Sequence, residues 1–242
     1  MTCNTVIHVE NLTKKFGGFT VLNNVNLRVL DGEVFGVLGP NGAGKSTLIK
    51  LILGLLRPSS GFVRLFGLNM SVESERIRAL RMVGYVPDYP FFPMQLNAFD
   101  ILCFYGRLFG LEGVELKDRV FEILSFVGLR NRMFDKIGHY SRGMIKRLGL
   151  AQALINRPRL LIMDEPTSGL SPEITPVFRS YIKRIVGNGV TVFLSTNDVN
   201  EAEEVCSRVI VIHNGRIVGE WKSNGSISLR EFYLEVIGIE DC

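Results

Sequence analysis

The 242 residues carry 28 basic and 24 acidic side chains, and 46% of positions are hydrophobic against 21% charged. That balance excludes a disordered chain, and the net charge of +4, gathered into no basic block, is weak evidence for nucleic acid or an anionic surface and by itself decides neither; with no basic extension or coiled coil, no nucleic-acid partner is expected. The length suits one α/β domain, residues 1–242, carrying an inserted subdomain.

The densest apolar stretch, residues 48–56, is interrupted by Lys50 and stops at Arg57, far short of the roughly 20 apolar residues that cross a bilayer. Residues 1–11 show no basic segment followed by an apolar run, so the chain is expected to stay in the cytoplasm. Cysteines at 3, 103, 206 and 242 have neither the CxxC spacing of metal and redox sites nor a disulfide framework, which predicts free thiols. His8, His139 and His213 lack metal-ligand spacing and read as structural.

In chain order, residues 6–9, 27–29, 34–38 and 62–66 read as short strands separated by turns at Asp31-Gly32 and 58–61, predicting an early antiparallel sheet. Residues 45–56 place Leu48, Ile49, Leu51, Ile52 and Leu55 around much of a helix, which should be buried. From about 97 to 159 the period turns helical, with one stripe of Phe99, Leu102, Tyr105 and Phe109 and another of Val120, Ile123, Leu124 and Val127. Residues 160–163 and 190–195 are short, apolar and β-prone, as parallel strands covered on both faces are. Asn214-Gly215 between 209–213 and 216–220 predicts a hairpin, and Ser228 with Glu231 predicts a capping box opening a helix through Val236.

Gly39-Pro40-Asn41-Gly42-Ala43-Gly44-Lys45-Ser46 fits GxxxxGK[ST], lying directly after a strand and opening a helix. Its backbone N–H groups and the helix dipole suit phosphates, Lys45 the β and γ phosphates, Ser46 a Mg²⁺ ion and Thr47 the α phosphate. An apolar run ending in Asp164-Glu165 puts two carboxylates at the C-terminal edge of a strand, where α/β sheets bind ligands. Asp164 is read as holding Mg²⁺ and Glu165 as polarising the attacking water.

On these residues, together with Phe16-Gly17, Ser141-Arg142-Gly143-Met144 and the order in which they occur, the chain resembles the ATP-binding cassette family over nearly its whole length. The resemblance implies a P-loop NTPase core with a mainly parallel sheet, an N-terminal antiparallel β subdomain and an inserted helical subdomain at about 89–158, followed by a short helical tail at about 226–242. It also implies ATP and Mg²⁺ as ligands, with Phe16 stacking on adenine. Ser141 and Gly143 stand in the family signature, typically LSGGQ, and would contact the γ-phosphate held by the phosphate loop of a second cassette, in a homo- or heterodimer. Membrane-spanning transporter subunits would be the other partners, placing the chain on the inner face of the cell membrane, and the aromatic-rich residues 89–94 either receive those subunits or fill the seam beneath the helical subdomain.

Arg142 and Met144 depart from LSGGQ, and three further positions depart from the family pattern. Asp88 replaces a glutamine that touches Mg²⁺ and the attacking water, which adds negative charge beside the phosphates and removes an amide donor. Asn197 replaces the switch histidine and cannot become cationic, so it reads as a weakened phosphate sensor, or as a turn residue before a helix capped by Asp198 and Glu201. Ser171 replaces an aspartate and, standing before Pro172, reads as a helix N-cap. The expected activity is therefore a transporter ATPase with Glu165, Lys45, Asp88 and Asn197 in the catalytic set, slowed at 88 and 197. The alternatives are a nucleotide-gated cassette with little turnover and, less in keeping with the lack of a coiled coil or basic extension, a non-transport ATPase acting on nucleic acid.

Overall fold

A computed structural model describes residues 5–223, 225 and 227–238; the free-thiol readings at Cys3 and Cys242 and the ends of the 226–242 tail lie outside the described residues. The N-terminal third forms β1 (Thr5–Phe16), β2 (Phe19–Leu30), β3 (Val34–Leu38), α1 (Lys45–Ile52), β4 (Ser60–Leu65) and β5 (Leu68–Asn69). The antiparallel sheet has the order β2-β1-β4-β5, and β3 is not part of it. The side chains account for the split. Val25, Leu27 and Val29 of β2 are buried while the residues between them face water, whereas all five residues of β3 are buried, a pattern that demands cover on both faces.

α1 stops at Ile52 rather than running to Leu56. Gly54 adopts φ 68 just past the cap and the Leu55 amide turns back to the Lys50 carbonyl, so the last turn closes and Leu55 is left 62% exposed. The expectation of a buried Leu55 is corrected there; Leu48, Ile49, Leu51 and Ile52 are buried as read.

Beyond β5 come α2 (Glu73–Leu80), β6 (Val83–Val86), α3 (Ala98–Leu108), α4 (Gly113–Phe126) and α5 (Arg142–Leu154). The Asn97 carboxamide caps α3 by accepting from the Asp100 amide at 2.9 Å. Val120, Ile123, Leu124 and Val127 are buried as expected, but α3 ends before Phe109, which is exposed, and its core face is Ala98, Ile101 and Leu102. Then follow β7 (Leu160–Asp164), α6 (Thr175–Gly187), β8 (Thr191–Thr196), α7 (Val199–Val205), β9 (Arg208–His213), β10 (Arg216–Lys222) and α8 (Leu229–Gly238). Asn214 and Gly215 take φ 46 and 73 in the hairpin between β9 and β10, and Ser228 and Glu231 exchange the two hydrogen bonds of a capping box ahead of α8.

The second sheet has the order β10-β9-β3-β8-β7-β6, parallel except for β10. Alternate residues feed two cores. Phe35, Val37, Leu160, Ile162 and Phe193 pack toward α1 and the antiparallel sheet, while Leu38, Leu161, Met163 and Leu194 pack toward the helices. The Phe35 and Phe193 rings stack at 5.7 Å, fixing β3 beside β8. Cys103 and Cys206 are free and buried, and no helix among the described residues is long and apolar enough to cross a membrane.

Candidate functional site

Four neighbouring parallel strands, β3, β8, β7 and β6, each deliver one group to the same sheet edge: the 39–47 loop, Asn197, Asp164 with Glu165, and Asp88. This is the edge at which open α/β sheets take ligands. Gly44 holds φ 106, and a Cβ built on it would stand 2.7 Å from Cδ2 of Leu22 on β2, so a side chain there is refused by both backbone and neighbour. α1 then begins at Lys45 with no side chain capping its first turn, which leaves its leading N–H groups for an external acceptor.

Lys45 is buried and spends its ammonium inside the site, donating to the carbonyls of Gly39 at 2.8 Å and Pro40 at 3.1 Å and pairing with Glu165 Oε1 at 3.0 Å. Ser46 is exposed beside it and Thr47 half-buried. Asp164 is buried, with Oδ1 accepting from the Ser195 hydroxyl at 2.5 Å. Glu165 takes φ 48, a conformation that costs a non-glycine residue about 1–3 kcal/mol, and its N–H donates to the Ser195 carbonyl at 3.0 Å. Its carboxylate Oε2 accepts from the Asn197 N–H at 3.3 Å. The Asn197 amide in turn donates to Asn41 Oδ1 at 3.2 Å, joining the phosphate loop to β8.

Asp88 does not stand alone. Its Oδ1 lies 3.3 Å from the ammonium of Lys146, which also donates to the Glu165 carbonyl at 2.7 Å. Burial pulls the Lys146 pKa below that of an ordinary lysine, and the Asp88 carboxylate works against that shift. The Tyr85 phenol, partly buried on β6 and close to both Asp164 and Asp88, is pushed up to about 12 by burial first and by those two charges second. Lys146 and Ser195 were missed as site residues in the sequence. For Lys146 a signal exists: it falls on the same α5 face as the buried Leu150 and Leu154, where a lysine has no reason to be unless it is paired.

The structure leaves other expected residues apart from this cluster. Phe16 ends β1, 48% exposed, with the Lys14 ammonium 4.7 Å from its ring centre. Ser141 is the N-cap of α5, its hydroxyl accepting from the Met144 amide, and Gly143 approaches Leu170 and Ile174 rather than the 39–47 loop. Ser171 is not the N-cap of α6; its carbonyl accepts from Ile174 and Thr175 in a turn that delays the helix to Thr175. Asp198 does cap α7, but the carboxylate of Glu201 accepts from the Thr196 hydroxyl at 2.6 Å instead of completing a capping box. In the 89–94 loop Phe92 is buried and Pro90 lies against Gly149, as the seam reading expects, while Tyr89 and Phe91 are 74% and 84% exposed.

The hydroxyl of Ser46 and the carboxylates of Asp164 and Asp88 are hard oxygen donors of the kind Mg²⁺ prefers. Mg²⁺ characteristically takes one or two protein oxygens and completes its shell with phosphates and water, and these three side chains would supply such oxygens. A cleft of about 750 Å³ between α4 and α6 lies at the other end of β7 and β8, lined by Arg159 and Val190, and shares no residue with the site.

The sequence profile described as ABC transporter matches residues 22–168. An uncharacterised ABC transporter ATP-binding protein, YdbJ of Bacillus subtilis (strain 168), is 39% identical over 222 residues, covering 91% of this chain and 70% of that protein. The Nod factor export ATP-binding protein I of Cupriavidus metallidurans is 37% identical over 217 residues, 90% of this chain and 71% of its own. Among solved structures, the ATP binding subunit of an ABC transporter superposes with a TM-score of 0.86 at 28% identity, covering 96% of this chain and 99% of that one. A dimeric ATP-binding cassette in a post-hydrolysis state, bound to ADP and Pi, superposes at 0.82 and 28% identity over 90% of this chain and 99% of its own. The chain belongs to the ABC transporter family and is an ATP-binding, ATP-hydrolysing subunit of such a transporter; none of these relatives favours a hydrolysis-deficient module.

Proposed function

We propose that Lys45, Ser46, Asp164 and Glu165 form the hydrolytic centre, and the observation that carries this is the Glu165 carboxylate suspended between the Lys45 ammonium and the Asn197 N–H. Gly39, Pro40, Asn41, Gly42, Ala43 and Gly44 would wrap the phosphates, Thr47 would support the α phosphate and Phe16 would lie on adenine. When ATP enters, its γ-phosphate competes for Lys45, which frees Glu165 to orient the attacking water and accept its proton. Mg²⁺ held by Ser46 and Asp164, with Asp88 facing its shell, would neutralise charge building on the phosphates. Asn197 offers the γ-phosphate an amide donor in place of a cation, so turnover is expected to be slow and to rise in Asn197→His.

Residues 89–158 act in this reading as a unit that carries Ser141 and Gly143 to the nucleotide of a second cassette, and the dimeric form of the structural relative supports that pairing. The exposed Tyr89, Phe91 and Met94 would receive membrane-spanning subunits, holding the chain at the inner face of the membrane. Turnover of Mg-ATP by the purified chain tests the reading. Lys45→Ala is expected to abolish it, whereas equal turnover in parent and variant would remove the assigned site from the chemistry.

A further inference from the structure

Resting on the hydrolytic role proposed for Glu165, the geometry points to Lys146 as a positioning residue that makes a carboxylate at position 88 workable and locks the catalytic glutamate to the start of α5. Its ammonium bridges two segments that hold the site, lying 3.3 Å from Asp88 Oδ1 at the end of β6 and 2.7 Å from the Glu165 carbonyl at the end of β7. Only 2% of Lys146 is exposed, so the cation is withheld from water and survives there because these two oxygens replace its hydration. The same contact makes sense of Asp88. A carboxylate beside nucleotide phosphates is repelled, and a cation 3.3 Å away cancels its charge without occupying the phosphate loop.

The second contact bears on the chemistry. Glu165 sits in left-handed backbone, and a residue in that conformation stays there only when its peptide groups are held. Ser195 holds the N–H side and Lys146 the carbonyl side, which together aim the carboxylate at Lys45 and Asn197. Lys146 lies five residues after Ser141 on the same short helix, about 7–8 Å along its axis. A displacement of the α5 N-terminus by a ligand at Ser141 is thereby transmitted to the Glu165 peptide through one side chain. Gly84 lets this happen at close range: a Cβ there would meet the Ala153 carbonyl at 2.1 Å, so α5 rides directly on β6.

The test compares Lys146→Gln, Lys146→Met, Asp88→Gln and the double variant Asp88→Gln/Lys146→Gln for kcat, KM for ATP and thermal unfolding, with Lys45→Ala and Glu165→Gln as controls. Glutamine at 146 keeps a donor for the Glu165 carbonyl but leaves Asp88 uncompensated, so kcat is expected to fall about tenfold or more with KM for ATP nearly unchanged. Removing the carboxylate as well should restore most of the lost kcat, and Lys146→Met, which loses the donor too, should be the slowest of the set. Equal kcat in Lys146→Gln and the double variant, or a loss explained by unfolding alone, would overturn the inference. Turnover that is lost in Glu165→Gln yet untouched in Lys146→Met would defeat it while leaving the hydrolytic reading intact; parent turnover no higher than Lys45→Ala would defeat that reading itself.

Discussion

Asp164, Glu165 and Asn197 stand at the ends of adjacent strands and Lys45 opens the helix after β3; Glu165 pairs with Lys45, accepts from Asn197 and is linked to Asp164 through Ser195, whereas Ser141 and Gly143 lie at the start of a helix whose contacts lead away from the 39–47 loop. The first group owes its precision to the sheet. Strand spacing and register are set by backbone ladders and by cores on both faces, so side chains at their ends inherit fixed separations. The second group sits at a capped helix end, with Ser141 exposed. The contrast fits the proposed arrangement, in which one chain assembles its own half of a nucleotide site and presents the complementary half to another chain.

The strongest way to break the sheet-edge half is Glu165→Gln, which would remove the proposed proton acceptor but keep the shape. Turnover is expected to drop about 10²- to 10⁴-fold with ATP binding retained, checked by single-turnover kinetics beside nucleotide titration. A smaller loss, about tenfold, is expected from Ser141→Ala on the helical half, and it should depend on protein concentration if, as proposed, the serine serves another chain's nucleotide. The same change removes an N-cap and should cost about 1 kcal/mol in denaturant unfolding.

Legibility in the sequence follows the same division. The phosphate loop, β3, β7 and β8 were readable because apolar runs and a spaced motif encode them locally. The longer spans of β1 and β2 were not, because their polar outer ends are held by pairing across the sheet rather than by their own composition. Lys146 was out of reach as a site residue because 58 positions separate it from Asp88, and only the packing of α5 on β6 brings them together. Ser171 misled because serine before proline is a local cap signal, and the turn formed by its carbonyl overrode it.

The smallest effect sharpens the account of the β8 edge beneath Asn197. Glu201 is buried, and burial raises its carboxyl pKa above the ordinary glutamate value, with the Thr196 hydroxyl offsetting part of the rise. A raised pKa in the fold means that this group's stabilisation is full below the unfolded glutamate pKa and is lost as pH rises through the folded one. Glu201→Gln should abolish that loss and lift Tm near neutral pH by about 2–4 °C relative to the parent, with little difference in acid, as thermal melts across pH would record.

The proposed division of the site between two chains is tested most directly by mixing Lys45→Ala, expected to be inactive, with Ser141→Ala, expected to be about tenfold slower than the parent, and measuring Mg-ATP turnover of the mixture. In a pair formed from one of each, the intact Lys45 of one chain meets the intact Ser141 of the other, so turnover well above either variant alone is expected. A mixture no faster than the average of its components would contradict the account, and would place both residues in chemistry that a single chain performs by itself.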